Sequence, residues 1–152
     1  MHNIETFIIA GGEGKRFKSV STKPKIFSKL GKSYLIDLIL KNLFFYKLKK
    51  ISLFVGKKKT FFFKYQNKKG IKLIEEKKLL GTSGCFSQID NNNLKDNILI
   101  IFGDILFDIN FSNFYQFHLK NNSDITILSH PSDHLFDSDI IETDKKNKVS
   151  KI

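Results

Sequence analysis

The chain is poor in several residue types. Its 152 residues include one cysteine, two prolines, one methionine and no tryptophan. A lone Cys85 permits no intrachain disulfide, which fits a reducing cytoplasm. No apolar run approaches the roughly 20 residues that a membrane helix needs. The opening Met1-His2-Asn3-Ile4-Glu5 lacks the basic start and apolar stretch of a secretory leader. Four histidines and the Asp133, Asp137, Asp139 group match no standard transition-metal spacing, so this stretch reads as a polar loop. What remains, at 41% hydrophobic and 27% charged, reads as one globular domain over residues 1–152 with a real core.

Arginine is the scarcest charge. Arg16 stands alone among 25 lysines, at the end of Ile8-Ile9-Ala10-Gly11-Gly12-Glu13-Gly14-Lys15-Arg16. Its planar fork of donors suits phosphate oxygens in a way that a lysine point charge does not. The net charge of +11 is uneven: residues 1–80 hold 20 basic and 5 acidic side chains, residues 81–152 hold 6 and 10. The lysines accompany Asn, Ile and Phe, so they read as a compositional bias and a solvated face. A field that draws in small polyphosphates suits this charge better than nucleic acid does.

Strand and helix patterns alternate. Thr6-Phe7-Ile8-Ile9-Ala10, Ile51 to Val55, Ile71 to Ile74 and Asn97 to Phe102 read as buried strands, the last as a central one. Helical spacing appears from Tyr34 to Tyr46, Lys57 to Lys69, Thr82 to Ile89 and Phe111 to Leu119. Asp124 to Ser129 reads as a further strand and Asp139 to Ile152 as a hairpin. The expected fold is α/β: a Rossmann-like, mostly parallel sheet with helices on both faces. Ligands of such sheets bind past the carboxyl ends of the strands, where both the glycine loop and Gly103-Asp104 fall.

Two familiar phosphate loops do not fit. A P-loop needs Ser or Thr after Gly14-Lys15, where Arg16 stands, and glycine where Ile9 stands. The dinucleotide fingerprint needs glycine where Phe17 stands. Instead, Ala10-Gly11-Gly12-Glu13-Gly14-Lys15-Arg16, then Pro24-Lys25 and Gly31-Lys32, resembles the signature of sugar-phosphate nucleotidyltransferases. Leu80-Gly81-Thr82-Ser83-Gly84 and Phe102-Gly103-Asp104 with Asp108 resemble that family's later motifs, in order. Gly14 to Val20 is similar to the heptose 1-phosphate guanylyltransferase branch. His130 to Asp139 resembles a segment of modules joined to heptose-bisphosphate phosphatases.

The resemblance implies attack of a sugar 1-phosphate on the α-phosphate of a nucleoside triphosphate, with pyrophosphate leaving. GTP with heptose or mannose 1-phosphate is the favoured pair. By the same resemblance, Arg16 grips the leaving phosphates and Lys25 neutralises charge between the two substrates. Ala10, Gly11, Gly12 and Gly14 approach the nucleotide, Glu76 and Gly81 meet base and sugar nucleotide, and Asp104 holds Mg²⁺. Ile26 and Ser33 stand where relatives commonly have proline. The family's catalytic domain continues well past this length, so the expectation is a C-terminally truncated, nucleotide-binding portion with an incomplete sheet. A second chain supplying the remainder, or a heptose-bisphosphate phosphatase, would then be a partner. A non-catalytic nucleotide-binding remnant and a basic nucleic-acid-binding domain stay open as alternatives.

Overall fold

The computed structural model of the chain describes residues 4–12, 21–66, 68–76, 81, 83–89, 94–131 and 139–151. The chain divides into two compact units, 1–112 and 113–152. The first holds a parallel sheet of four strands: β1 (Ile4–Ala10), β4 (Ile51–Val55), β5 (Ile71–Glu75) and β6 (Asn97–Phe102), in the order β5-β4-β1-β6. Between β1 and β4 lie a short antiparallel pair, β2 (Lys29–Leu30) with β3 (Ser33–Tyr34), and helix α1 (Leu35–Phe45). The apolar composition of β1 and β4 suits strands with neighbours on both sides.

Side chains alternate across the sheet. Phe7 and Phe54 share one face, where a 3₁₀ turn (Gly84–Gln88) covers them with Cys85 and Phe86. Their rings meet edge to face at 5.4 Å. The opposite face carries Ile4, Ile8, Leu53, Val55 and Ile101, all buried. Helix α1 buries Leu35, Ile36, Ile39, Leu40 and Leu43, an apolar stripe at helical spacing.

Three expectations need correction. The segment Lys57 to Lys69 is not one helix: a 3₁₀ turn (Lys59–Phe62) leads into a single turn of helix, α2 (Phe63–Gln66). Phe62 and Tyr65 are buried while Phe61 and Phe63 are exposed, so the run meets the core at one edge only. β6 lies at the sheet edge rather than its centre, pairing with β1 alone among the described residues. Ile98, Ile100 and Phe102 are consequently 42 to 47% exposed.

The third correction belongs to the second unit. Residues 124–129 form no strand. Ile125, Ile127 and Leu128 are exposed, and β-structure needs a hydrogen-bonded neighbour. That unit contains most of α3 (Phe111–Lys120), where the His118 ring lies 2.8 Å from the Thr126 hydroxyl. It also contains the expected hairpin, β7 (Glu142–Thr143) with β8 (Val149–Lys151), whose turn the Asp144 carboxylate caps by accepting from the Lys146 and Lys148 amides.

One buried group in β1 is out of place energetically. The Thr6 hydroxyl is fully buried and has no hydrogen-bond partner among the described residues. Thr6→Val keeps the shape and removes the stranded hydroxyl, so stability should rise by about 1 kcal/mol. A higher urea midpoint checks it.

Candidate active site

The strand order reverses beside β1. β4 and β5 lie to one side of it and β6 to the other, so a crevice opens past the carboxyl ends of β1 and β6. Every described residue singled out near that edge can be placed from the backbone upward.

Lys25 rides on a 3₁₀ turn (Lys25–Phe27) that follows Pro24. The turn is held by the Phe27 amide donating to the Pro24 carbonyl at 2.9 Å, and by the Ser28 hydroxyl donating to the Lys25 carbonyl at 2.7 Å. Ile26 and Phe27 fix it by burial, each contributing about 1.5–3 kcal/mol. Phe27 packs against Phe62 at 4.9 Å. The core thus takes the two residues after Lys25 and leaves the ammonium facing out.

Asp104 lies two residues past β6. Gly103 donates its amide to the Ile9 carbonyl at 2.9 Å, which binds the strand end to β1. A methyl group on Gly103 would lie 2.8 Å from Ile26 Cδ1 and 3.0 Å from the Ile9 carbonyl oxygen. Ile26 therefore seats against Gly103, and the next residue on each side meets: Lys25 Nζ donates to Asp104 Oδ2 at 3.2 Å. Both side chains are about half exposed, at 51% and 49%. A pair so open to water is worth no more than about 1 kcal/mol, and a stronger ligand for either group can take it apart.

The second pairing is apolar against charged. The Glu76 amide donates to the Val55 carbonyl at 2.8 Å, carrying the β5 ladder one residue further. Its side chain then lies over Gly11, where any Cβ would collide with Glu76 Oε2. A side chain at position 11 would force the Glu76 carboxylate to shift from this place. Glu76 is 6% exposed, and burial pushes its carboxyl above the usual carboxylate range. Burial, with the Glu76 charge adding to it, also pushes the nearby Cys85 thiol up, which marks Cys85 as a packing residue rather than a nucleophile.

Of the other expected positions, Ala10 ends β1 half-buried, Gly12 is exposed with open space where a side chain would stand, and Gly81 is exposed at φ +82°. Gly14 and Arg16 lie outside the described residues. The structure brings Lys25 to Asp104 and Glu76 to Gly11, with the end of β1 joining the two pairs. Two contributors escape a reading of motifs. Ile26 seats the lysine turn, and Gly56 lets the Gly11 carbonyl come within 2.7 Å of where its side chain would begin. The signal for Gly56 is its place at the end of an apolar strand; that for Ile26 is only its standing where relatives commonly have proline.

Asp104 fits one mode of Mg²⁺ binding. Among the described residues no group of three or more His, Cys, Asp or Glu side chains could hold an ion. A single half-exposed carboxylate suits Mg²⁺, which keeps waters and takes further oxygens from substrate phosphates.

A family-level sequence profile described as nucleotidyl transferase matches residues 5–152. The chain belongs to this nucleotidyl transferase family. It is 34% identical over 131 residues to the bifunctional protein GlmU of Buchnera aphidicola, covering 84% of this chain and 28% of that protein. It is 27% identical over 133 residues to the D-glycero-alpha-D-manno-heptose 1-phosphate guanylyltransferase of Aneurinibacillus thermoaerophilus, covering 84% of this chain and 58% of that one. The fold is similar to that of HddC from Yersinia pseudotuberculosis, with a TM-score of 0.63 at 23% identity over 76% of this chain and 54% of that one. The chain thus spans between about a quarter and three-fifths of these relatives' length. Family membership agrees with the motifs around Gly11, Lys25 and Asp104. No described helix is long and apolar enough to cross a membrane.

Proposed function

We propose that the chain supplies the nucleotide-binding half of a sugar 1-phosphate nucleotidyltransferase, with GTP and heptose or mannose 1-phosphate as the favoured substrates. The observation that carries this reading is the Lys25–Asp104 pair at the carboxyl end of β6, at the crevice where the strand order reverses. Transfer joins two anions, so its barrier falls chiefly through charge neutralisation and alignment. Lys25 offers a mobile positive charge at the junction of the two phosphates. Asp104 offers a carboxylate to Mg²⁺, which when bound draws charge from the triphosphate oxygens. Arg16 grips the departing pyrophosphate. The heptose 1-phosphate guanylyltransferase among the relatives supports the choice of base and sugar.

The alternative reading is nucleotide binding without turnover. Pyrophosphate release from GTP, CTP, dTTP, ATP or UTP, with heptose and mannose 1-phosphates, separates the two. Release that requires a sugar phosphate and falls at least about 100-fold in Arg16→Ala is the expected result. No release, with nucleotide binding that Arg16→Ala abolishes, would replace transfer by binding alone. Salt-sensitive DNA binding indifferent to Arg16→Ala would point to the polyanion surface instead.

A further inference from the structure

Residues 23–72 carry 15 lysines and a single acid, Asp37. Asp37 accepts from the Tyr65 hydroxyl at 2.8 Å and makes no ion pair with a described residue. Three of the lysines reach acids outside the stretch: Lys25 pairs with Asp104, Lys50 with Glu5 and Lys59 with Glu75. Composition alone would make the others a solvated face. Three of them are held in another way.

Lys23, Lys64 and Lys68 lie over aromatic rings. Lys23 Nζ and Lys64 Nζ are 5.5 and 5.1 Å from the centre of the Tyr34 ring. Lys64 Nζ and Lys68 Nζ are 4.7 and 4.9 Å from the centre of the Tyr65 ring. The rings belong to one cluster, because Phe27 meets Tyr34 at 5.9 Å, Phe61 at 5.9 Å and Tyr65 at 6.2 Å. None of the three ammoniums has an acidic partner among the described residues. Ring faces attract each cation modestly, and the cations repel one another. An anion arriving from solvent would relieve that repulsion.

Apolar side chains stand exposed beside these cations. Leu30 is 41% exposed, Phe61 36% and Phe63 48%. Leu30 lies on the β2–β3 hairpin that carries Tyr34, Phe61 packs on Phe27, and Phe63 precedes Lys64. We infer that this face docks on an anionic lipid bilayer, with Lys23, Lys64 and Lys68 at the headgroup phosphates and Leu30, Phe61 and Phe63 reaching the acyl boundary. The contact is separate from nucleotide chemistry and needs no substrate.

The mixture of side chains favours lipid over nucleic acid. Single strands bind where aromatic faces are open for bases to stack on. Here Phe27 and Tyr65 are buried, and two ammoniums lie over Tyr34. A duplex backbone would use the lysines but has no place for an exposed leucine and two exposed phenylalanines. A bilayer uses both kinds of group. Its anionic leaflet attracts the cations, and its interface takes up apolar tips. The lysine stems suit such a boundary, since they can cover rings while their charged ends stay among headgroups.

The test is co-sedimentation of the full chain with phosphatidylcholine vesicles, with and without about one-third phosphatidylserine. The anionic vesicles should bind at least about tenfold more tightly, and added salt should weaken them. Each lysine beside such a leaflet strengthens binding about fivefold, so the triple variant Lys23→Ser, Lys64→Ser, Lys68→Ser should lose about 100-fold. Removing the same charge from the second unit, by Lys145→Ser, Lys146→Ser and Lys148→Ser, should cost about threefold or less. Leu30→Ser with Phe63→Ser changes no charge and should still weaken binding by about tenfold. Every substituted side chain is exposed, so all three variants should melt close to the wild-type temperature. Equal binding to the two kinds of vesicle overturns the inference. Equal losses in the two lysine variants overturn it as well, since net charge alone would then explain the binding. Tighter binding to a single-stranded polyuridylate than to the anionic vesicles, lost in the first lysine variant, assigns the face to nucleic acid and overturns the lipid reading.

Discussion

Gly70→Ala should destabilise the first unit by about 3 kcal/mol or more, lowering the urea midpoint sharply and leaving much of the protein unfolded on mild heating. Gly70 sits at φ +88° in the turn that feeds β5, a conformation that side chains rarely adopt. The left-handed backbone alone costs about 1–2 kcal/mol for a residue with a Cβ. The added methyl would also run into the Lys49 carbonyl oxygen. That atom belongs to backbone and cannot swing aside. Nor can the turn itself move freely, since the Gly70 carbonyl accepts from the Ile51 amide at 2.8 Å and so ties β5 to the start of β4. Strain here is passed into two strands. A midpoint within experimental error of wild type would show that the turn relaxes without cost, contrary to this account.

Lys25→Ala should cut sugar-nucleotide formation by about 100-fold or more while leaving the melting temperature almost unchanged. The two halves of that expectation have different causes. In the folded protein, Lys25 loses only a half-exposed ion pair, and such pairs contribute little to stability. On the proposed reading, transfer loses a positive charge between two reacting phosphates, where displaced water makes charge matter most. Lys41→Ala, on the exposed side of α1, serves as the control and should change neither quantity. Equal losses for both lysines would mean that the general basic field, not Lys25, does the work. A large drop in melting temperature for Lys25→Ala would mean that the turn depends on the ammonium rather than on Ile26 and Phe27.

Much of the sheet was legible in the sequence because its signals are local. Ile51 to Val55 and Asn97 to Phe102 are apolar runs bounded by glycine, and both strands appear with those bounds. Helix α1 follows from spacing, and the α/β class from alternation. Lys25 and Asp104, from two separate motifs, meet at the carboxyl edge of the sheet. The rest was set by tertiary context. Nothing local to Ile98, Ile100 and Phe102 says that their strand has one neighbour rather than two among the described residues. Nothing in Ile125 and Ile127 says that no described strand pairs with them. The 79 positions between Lys25 and Asp104 are closed by Ile26 seating on Gly103, a contact of shape that no motif encodes. Glu76 could be noted as a candidate from resemblance alone. That its side chain is buried against Gly11 is visible only once β5 is laid beside β4.

The register of β1 has a consequence for the order in which the protein assembles. β1 pairs with β4 through Thr6 and Ile51, but its other side waits for β6, where Ile4 meets Asn97. Closing so long a loop is slow relative to forming local turns and helices. On an emerging chain, β1, β4 and β5 can assemble while β6 is still being made. The Lys25–Asp104 crevice therefore comes into being with the last of the four described strands, and a chain halted before Phe102 would lack the Asp104 side of it.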